Sequence, residues 1–203
     1  MRLLARSVVA AMLLAVIIDA RAADGSLQEG LDAYHRQDYA KAESLWRPLA
    51  DKGDAEAQYR LGTLYAEGRG VERNDSTAMT WFLRAAEQGN AMAQYNAGAS
   101  YASGIGVAKS DGDAARWFRR AADQGMPFAQ LNLGLMYAAG HGVPTDNVEA
   151  MKWLQLALFG LPAGAVRSDV ARAMEDVSEK MTPDQLREVR MRVQVFKPKG
   201  EGK

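Results

Sequence analysis

The 203-residue chain has no cysteine, only two histidines, and aromatic residues at just 8% of its positions. Without cysteine there can be no disulfide framework, no thiol nucleophile, no thiolate-ligated metal and no lipid attached through sulfur. His35 and His141 leave little for metal chemistry, and no metal or cofactor site is expected. His141 lies between Gly140 and Gly142, where a solvated loop histidine is the simpler reading than a catalytic base. No H-E-x-x-H pair, G-x-S-x-G elbow or phosphate-cradling glycine loop is present, so no enzymatic constellation is expected. Excess charge of either sign is also missing, with 25 basic and 25 acidic residues, and no general attraction to nucleic acid follows. With 48% hydrophobic residues the composition is that of one globular or solenoid domain with a sizeable core, not of a disordered chain.

The one long apolar run, Val8 to Ile18, follows Arg2 and Arg6 and precedes Ala20-Arg21-Ala22. It is short for a membrane span, which needs ~20 apolar residues. The pattern is that of a secretory signal peptide, residues 1–22, cleaved before Ala23; retention as an anchor is the other reading. Cleavage removes three arginines and one aspartate, leaving 22 basic and 24 acidic residues and no integral membrane span. An exported chain without disulfides is expected in a bacterial periplasm or outside the cell.

What the chain has in abundance is repetition. Residues 91–126 repeat 19 of the 36 positions of residues 55–90, and a third copy begins at Pro127. A period of this length signals stacked helical hairpins, which mostly bind other macromolecules. In the first full copy Asp54 is placed to cap a helix over 55–67, with Ala57, Leu61, Leu64 and Tyr65 on its apolar face. Gly68-Arg69-Gly70 ends it, and a second helix after Asn74 carries Ala78, Trp81, Phe82 and Ala85 at helical spacing. The corresponding caps are Ser110 and Asp146, which can accept the same hydrogen bonds. Gly62, Gly98 and Gly134 fall in mid-helix, where glycine costs ~1 kcal/mol relative to alanine, so close approach of a neighbouring helix is expected there. Trp81, Trp117 and Trp153 are expected to fill the space between successive hairpins.

Residues 23–54 read as an abbreviated N-terminal capping hairpin, and residues 55–162 as three 36-residue repeats. Two C-terminal capping helices follow over 163–196, the second opened by the capping box Thr182-Pro183-Asp184-Gln185. Residues 197–203 are expected to be a disordered basic tail. For Arg187, Arg190, Arg192, Lys197 and Lys199 a solvated face is the simpler reading and docking on an acidic surface the other.

Ala57-Gln58-Tyr59-x-x-Gly62-x-x-Tyr65-Ala66-x-Gly68-x-Gly70-Val71, followed by Ala78-x-x-Trp81-Phe82 and Ala85-Ala86-x-Gln88-Gly89, resembles the Sel-one-like repeat, a relative of the tetratricopeptide repeat. The resemblance implies an all-α, right-handed α/α solenoid that acts as a scaffold or adaptor, often at cell envelopes. Cysteine-rich members are linked to β-lactam binding or hydrolysis through a disulfide in each repeat; that activity does not transfer to a chain with no cysteine.

Positions 56, 60, 63 and 67 fall within about 60° of one another at ~100° per residue, beside the core stripe. Their chemistry is not repeated. The sets are Glu56, Arg60, Thr63 and Glu67; Met92, Asn96, Ala99 and Ser103; and Phe128, Asn132, Leu135 and Ala139. First helices line the concave face of helical solenoids, so these residues are expected to form a groove graded from charged to apolar. Asn96 and Asn132 are candidates to bond the backbone of an extended peptide. Ordinary solvent or inter-repeat contacts are the competing reading. The expected function is a non-enzymatic scaffold of the bacterial envelope with a protein or peptide partner. An envelope enzyme or accessory factor acting on peptidoglycan, β-lactam or exported polysaccharide, with a cell-envelope glycan as ligand, is the alternative.

Overall fold

The computed structural model describes residues 25–200. The expected signal segment, residues 1–22, lies outside the described residues. Every regular element among the described residues is a helix: α1 (25–35), α2 (Tyr39–Asp51), α3 (Ala55–Glu67), α4 (Asp75–Glu87), α5 (Ala91–Ser103), α6 (Asp111–Asp123), α7 (Pro127–Ala139), α8 (Asn147–Gly160), α9 (Ala165–Ser178) and α10 (Pro183–Gln194). Helices α3 with α4, α5 with α6 and α7 with α8 form hairpins, and successive hairpins stack through α2–α3, α4–α5 and α6–α7. This is the α/α solenoid the repeat period implies.

Local chemistry fixes each boundary. Asp54 and Asn90 accept hydrogen bonds from the backbone N–H of Ala57 and Ala93, and Asn74, Ser110 and Asp146 do the same at α4, α6 and α8. At α7 the capping residue is Met126, which cannot accept, and Pro127 removes one N–H that would need a partner. Gly68 ends α3 at φ 67°, with its N–H on Leu64 O. The second glycine of each turn answers to a neighbour. A Cβ on Gly106 would lie 2.2 Å from Asp75 O, because the turn of one hairpin rests on the start of the preceding hairpin's second helix.

The mid-helix glycines have the same cause inside each hairpin. A Cβ at Gly62 or Gly98 would lie 2.6 or 2.7 Å from the ring of Phe82 or Phe118, and one at Gly134 would lie 2.9 Å from Leu154. In the shortened first hairpin the pair is Gly30 and Trp46, and Trp46 Nε1 donates to Leu27 O. Trp81, Trp117 and Trp153 are buried, each in a cluster with residues of the preceding hairpin. Leu45, at their register in α2, has no preceding hairpin among the described residues and is only half-buried.

The buried glutamines were not anticipated as structural. Gln58, Gln94 and Gln130 are 4%, 0% and 3% exposed, and their side-chain amides donate to Ala50 O, Ala86 O and Ala122 O at the end of the preceding hairpin. Gln88 and Gln124 donate in turn to Gln58 Oε1 and Gln94 Oε1, both at 2.8 Å. Polar side chains thus stitch the hairpins together inside an apolar core.

After α8 the register changes: α9 packs on α8 and α7, and α10 on α8. The capping box at Thr182 and Gln185 closes in both directions. Beyond α10 the chain touches the solenoid through Phe196, Pro198 and Lys199, while residues 201–203 lie outside the described residues. Lys199 donates its backbone N–H to Asp123 O at 2.8 Å and its ammonium to Asp123 Oδ2 at 3.1 Å, while Phe196 meets Trp153 edge-on at 5.7 Å. Phe196 anchors the chain, and charge pairing carries it on.

Candidate functional site: paired clefts on the first helices

Two clefts open between first helices. The smaller, about 400 Å³, lies between α3 and α5 over a floor of Tyr59 and Phe82; Thr63, Ala66, Glu67, Asn96, Ala99, Ser100, Ser103 and Ile105 complete it. The larger, about 580 Å³, has Phe118 in its floor and is walled by Asn132, Leu135 and Met136 of α7 and by Ala173, Asp176, Val177 and Lys180 of α9, with Lys109, Asp111 and His141 at its lip. Advancing by 36 residues carries Ala66, Phe82, Asn96, Ala99, Ser100, Ser103 and Ile105 onto Ala102, Phe118, Asn132, Leu135, Met136, Ala139 and His141. All seven of these line the larger cleft. The clefts are therefore the same site in consecutive repeats: the first-helix positions turn from Ala99, Ser100 and Ser103 at the first to Leu135, Met136 and Ala139 at the second, where Lys109, Asp111, Asp176 and Lys180 add charge around them.

Of the residues expected on this face, Thr63, Glu67, Asn96, Ala99 and Ser103 come together at the first cleft, and Asn132, Leu135 and Ala139 at the second. Glu56, Arg60, Met92 and Phe128, near the helix starts, line neither. Several are already engaged: Glu56 pairs with Arg60 and accepts from Asn90 Nδ2, and Glu67 accepts from Tyr34 and pairs with Arg69. Thr63 and Ser103 donate to backbone carbonyls one turn back. Asn132 donates its amide to Phe128 O at 2.9 Å, a bond that uses the nitrogen and not the carbonyl oxygen of its side chain. Met92, Phe128 and Leu135 are 47%, 41% and 41% exposed, so they are surface residues. The floor aromatics escaped sequence reasoning because they belong to the stacking pattern. The 20-residue spacing between Gly62 and Phe82, and again between Gly98 and Phe118, could have found them; the contribution of α9, which does not repeat, could not.

The densest charge cluster lies elsewhere. Glu149 of α8 accepts from Trp153 Nε1 at 2.8 Å, Arg192 at 2.7 Å, Lys152 at 3.1 Å and Arg119 at 3.3 Å. Burial works against its ionisation, but Lys152, Trp153 and Arg119 together hold the carboxyl below its ordinary pKa. Burial also pushes Lys152 down, since the attraction of Glu149 is offset by the like charges of Arg119 and Arg192. Arg119 lies over the Trp153 ring and bonds Tyr137, and Arg47 repeats that arrangement with Trp81 and Tyr65. With its oxygens taken up by four donors, Glu149 serves to clamp α10 to α8 and is not poised as a general base. Among the described residues no three His, Asp or Glu side chains gather as a metal site, and no helix is long and apolar enough to cross a membrane.

Comparison with known proteins bears on the repeated architecture. The pattern of the Sel1 repeat matches residues 19–54, 55–90, 91–126 and 127–158, so the shortened first hairpin falls under it as well. Among solved structures, the chain is similar to a Sel1 repeat protein from Oxalobacter formigenes, with 34% identity over 66% of this chain and 55% of that one and a TM-score of 0.63. It is also similar to c5321, described as a protective antigen present in uropathogenic Escherichia coli strains and displaying an SLR fold, with 26% identity over 88% of this chain and 46% of that one and a TM-score of 0.51. The chain thus spans about half the length of these two proteins. No curated protein matches it. Repeats of this kind typically mediate protein–protein interaction. With four consecutive matches, a shared register of caps, glycines and tryptophans, and hairpins that stack as the register requires, the chain belongs to the Sel1 repeat family.

Proposed function

We propose that the chain is a non-enzymatic interaction scaffold of the bacterial envelope, which holds a segment of a partner protein along the face of its first helices. The observation that carries this reading is the pair of equivalent clefts, one repeat apart, over Phe82 and Phe118. Exposed Met92, Phe128 and Leu135 supply apolar area next to them, and Asn132 offers an acceptor to a partner's backbone N–H. An extended segment laid across both clefts would use side chains for the floors and main chain for the asparagines. Export rests on the N-terminal pattern of basic residues, apolar run and small residues.

Photo-crosslinking side chains at positions 99 and 132, with an exposed control at Arg84 on the second helix α4, test the groove in cells. Capture of a protein from 99 and 132 but not from 84 is expected; equal capture at all three, or capture of a glycan alone, would overturn the assignment. Export is checked by N-terminal sequencing of the chain recovered from the periplasmic fraction. A start at Ala23 is expected, and an intact chain confined to the cytosol would contradict it.

A further inference from the structure

The tail contact on the side of the second helices has a logic of its own. At the end of α4, Arg120 of the following hairpin reaches both the carboxylate of Glu87, at 3.1 Å, and its backbone carbonyl, at 3.4 Å, and Gln124 donates to Gly89 O at 2.9 Å. One repeat later the acceptors recur as Asp123 and Gly125, but the donors do not: the registers of Arg120 and Gln124 are held by Leu156 and Gly160. Among the described residues, the helical body therefore leaves Asp123 without the cation that its predecessor receives. The tail supplies it. Lys199 meets both the carboxylate and the backbone carbonyl of Asp123, Pro198 lies over Gly125, and Phe196 covers the edge of Trp153. A Cβ on Gly125 would lie 3.1 Å from Pro198 Cγ, so the ring rests on the bare backbone of a glycine that its φ of 89° already calls for.

We propose that Asp123, Gly125 and the Trp153 edge form a docking site for an extended, cationic segment of a partner protein, with an aromatic residue three positions before a lysine and a proline directly before it, and that residues 196–199 occupy it as an intramolecular competitor. The occupant seen in place defines the chemistry: an aromatic edge contact, a ring over a glycine, and one cation on one carboxylate. Among the described residues, the end of the tail is held by one ion pair and one backbone hydrogen bond, both from Lys199 to Asp123. The side chains of this pair are 72% and 26% exposed, so salt weakens it. Displacement costs the partner only the local concentration of a short tether. This site is independent of the first-helix clefts and stands whether or not they bind.

The test uses the ¹⁵N-labelled full chain and a synthetic peptide of residues 194–203, followed through the backbone amide signals of Gly125 and Asp123. In the variant Phe196→Ala/Lys199→Glu the tethered tail is released, and the free peptide is expected to bind at least tenfold more tightly than to the unsubstituted chain. Binding should weaken at least fivefold between 50 and 500 mM salt, as expected of an exposed ion pair. Adding Asp123→Lys to the released variant should abolish the response, with unchanged far-ultraviolet circular dichroism showing that the fold persists. No shift of Gly125 in the released variant, or binding that survives Asp123→Lys, would overturn the proposal. A Leu135→Asp substitution in the second cleft should leave peptide binding unchanged; loss of binding there would assign the peptide to the clefts and overturn it equally.

Discussion

Gln124 donates its side-chain amide to Gln94 Oε1 at 2.8 Å, and Gln94 passes its own amide on to Ala86 O in the hairpin before. Gln94 is fully buried, and substitution by leucine removes two hydrogen bonds: Ala86 O keeps only Gly89 N–H, and the Gln124 amide keeps only Gly89 O. Each lost hydrogen bond is worth about 1 kcal/mol net. Gln94→Leu should therefore lower the unfolding free energy in urea by about 2 kcal/mol although it adds apolar volume; a neutral or stabilising result would show that the glutamine relay is dispensable.

Gly98→Ala sets two magnitudes against each other. Alanine gains about 1 kcal/mol of helix propensity over glycine. Its Cβ, however, would lie 2.7 Å from the Phe118 ring, and overpacking of that kind costs about 1–3 kcal/mol. The single variant should be destabilised, and Gly98→Ala with Phe118→Leu, which copies the looser Gly134 and Leu154 pair, should be less so than the two single changes predict. Urea denaturation of the four proteins in the cycle measures the coupling; strict additivity would dismiss the contact.

Trp117 Nε1 is buried without a hydrogen-bond partner, whereas Trp153 Nε1 has Glu149, four residues earlier. At the matching position of α6 stands Asp113, one methylene shorter and bonded to Ser110. Asp113→Glu should let the carboxylate reach the indole and raise stability by about 1 kcal/mol, the usual net worth of one hydrogen bond. The Trp117 indole proton should exchange more slowly with deuterium, and unchanged exchange would rule out the new bond.

The Glu149 carboxyl titrates below its ordinary value, so its contribution is in full force above the unfolded value of 4.5 and is lost as pH falls through the lower folded value. Lys152, whose pKa is also lowered, acts at the alkaline end, where loss of its proton relieves a buried charge and favours the fold as pH rises. Thermal stability should therefore fall below about pH 4.5, and Glu149→Gln should flatten that acid limb while loosening α10. A limb of the same steepness in the variant would locate the effect in other carboxylates.

Helix placement could be read from the sequence because the caps, the exit glycines and the tryptophan register each have a local physical cause, repeated at a fixed interval. The face carrying Asn96, Ala99, Asn132 and Leu135 followed from the same helical geometry. Its depth did not, because the floors come from Phe82 and Phe118 on another helix and one wall from α9, which lies outside the repeat. Polarity hid the role of Gln58, Gln94 and Gln130: three matching amide side chains invite a solvent-facing reading until their acceptors in the preceding hairpin are known. The contact of Lys199 with Asp123 had no signal in the sequence. Composition cannot reveal that Leu156 and Gly160 leave Asp123 for Lys199 to meet.

Gly70, Gly106 and Gly142 each press against the second helix of the hairpin before, at Tyr39, Asp75 and Asp111. Because every such junction reaches back by only about one period, the number of hairpins is not fixed by any contact that counts them. A 36-residue cassette duplicated between positions 90 and 91 would meet at both ends the same surfaces that are there now. Lineages can lengthen or shorten such an array by unequal recombination without redesigning a single joint.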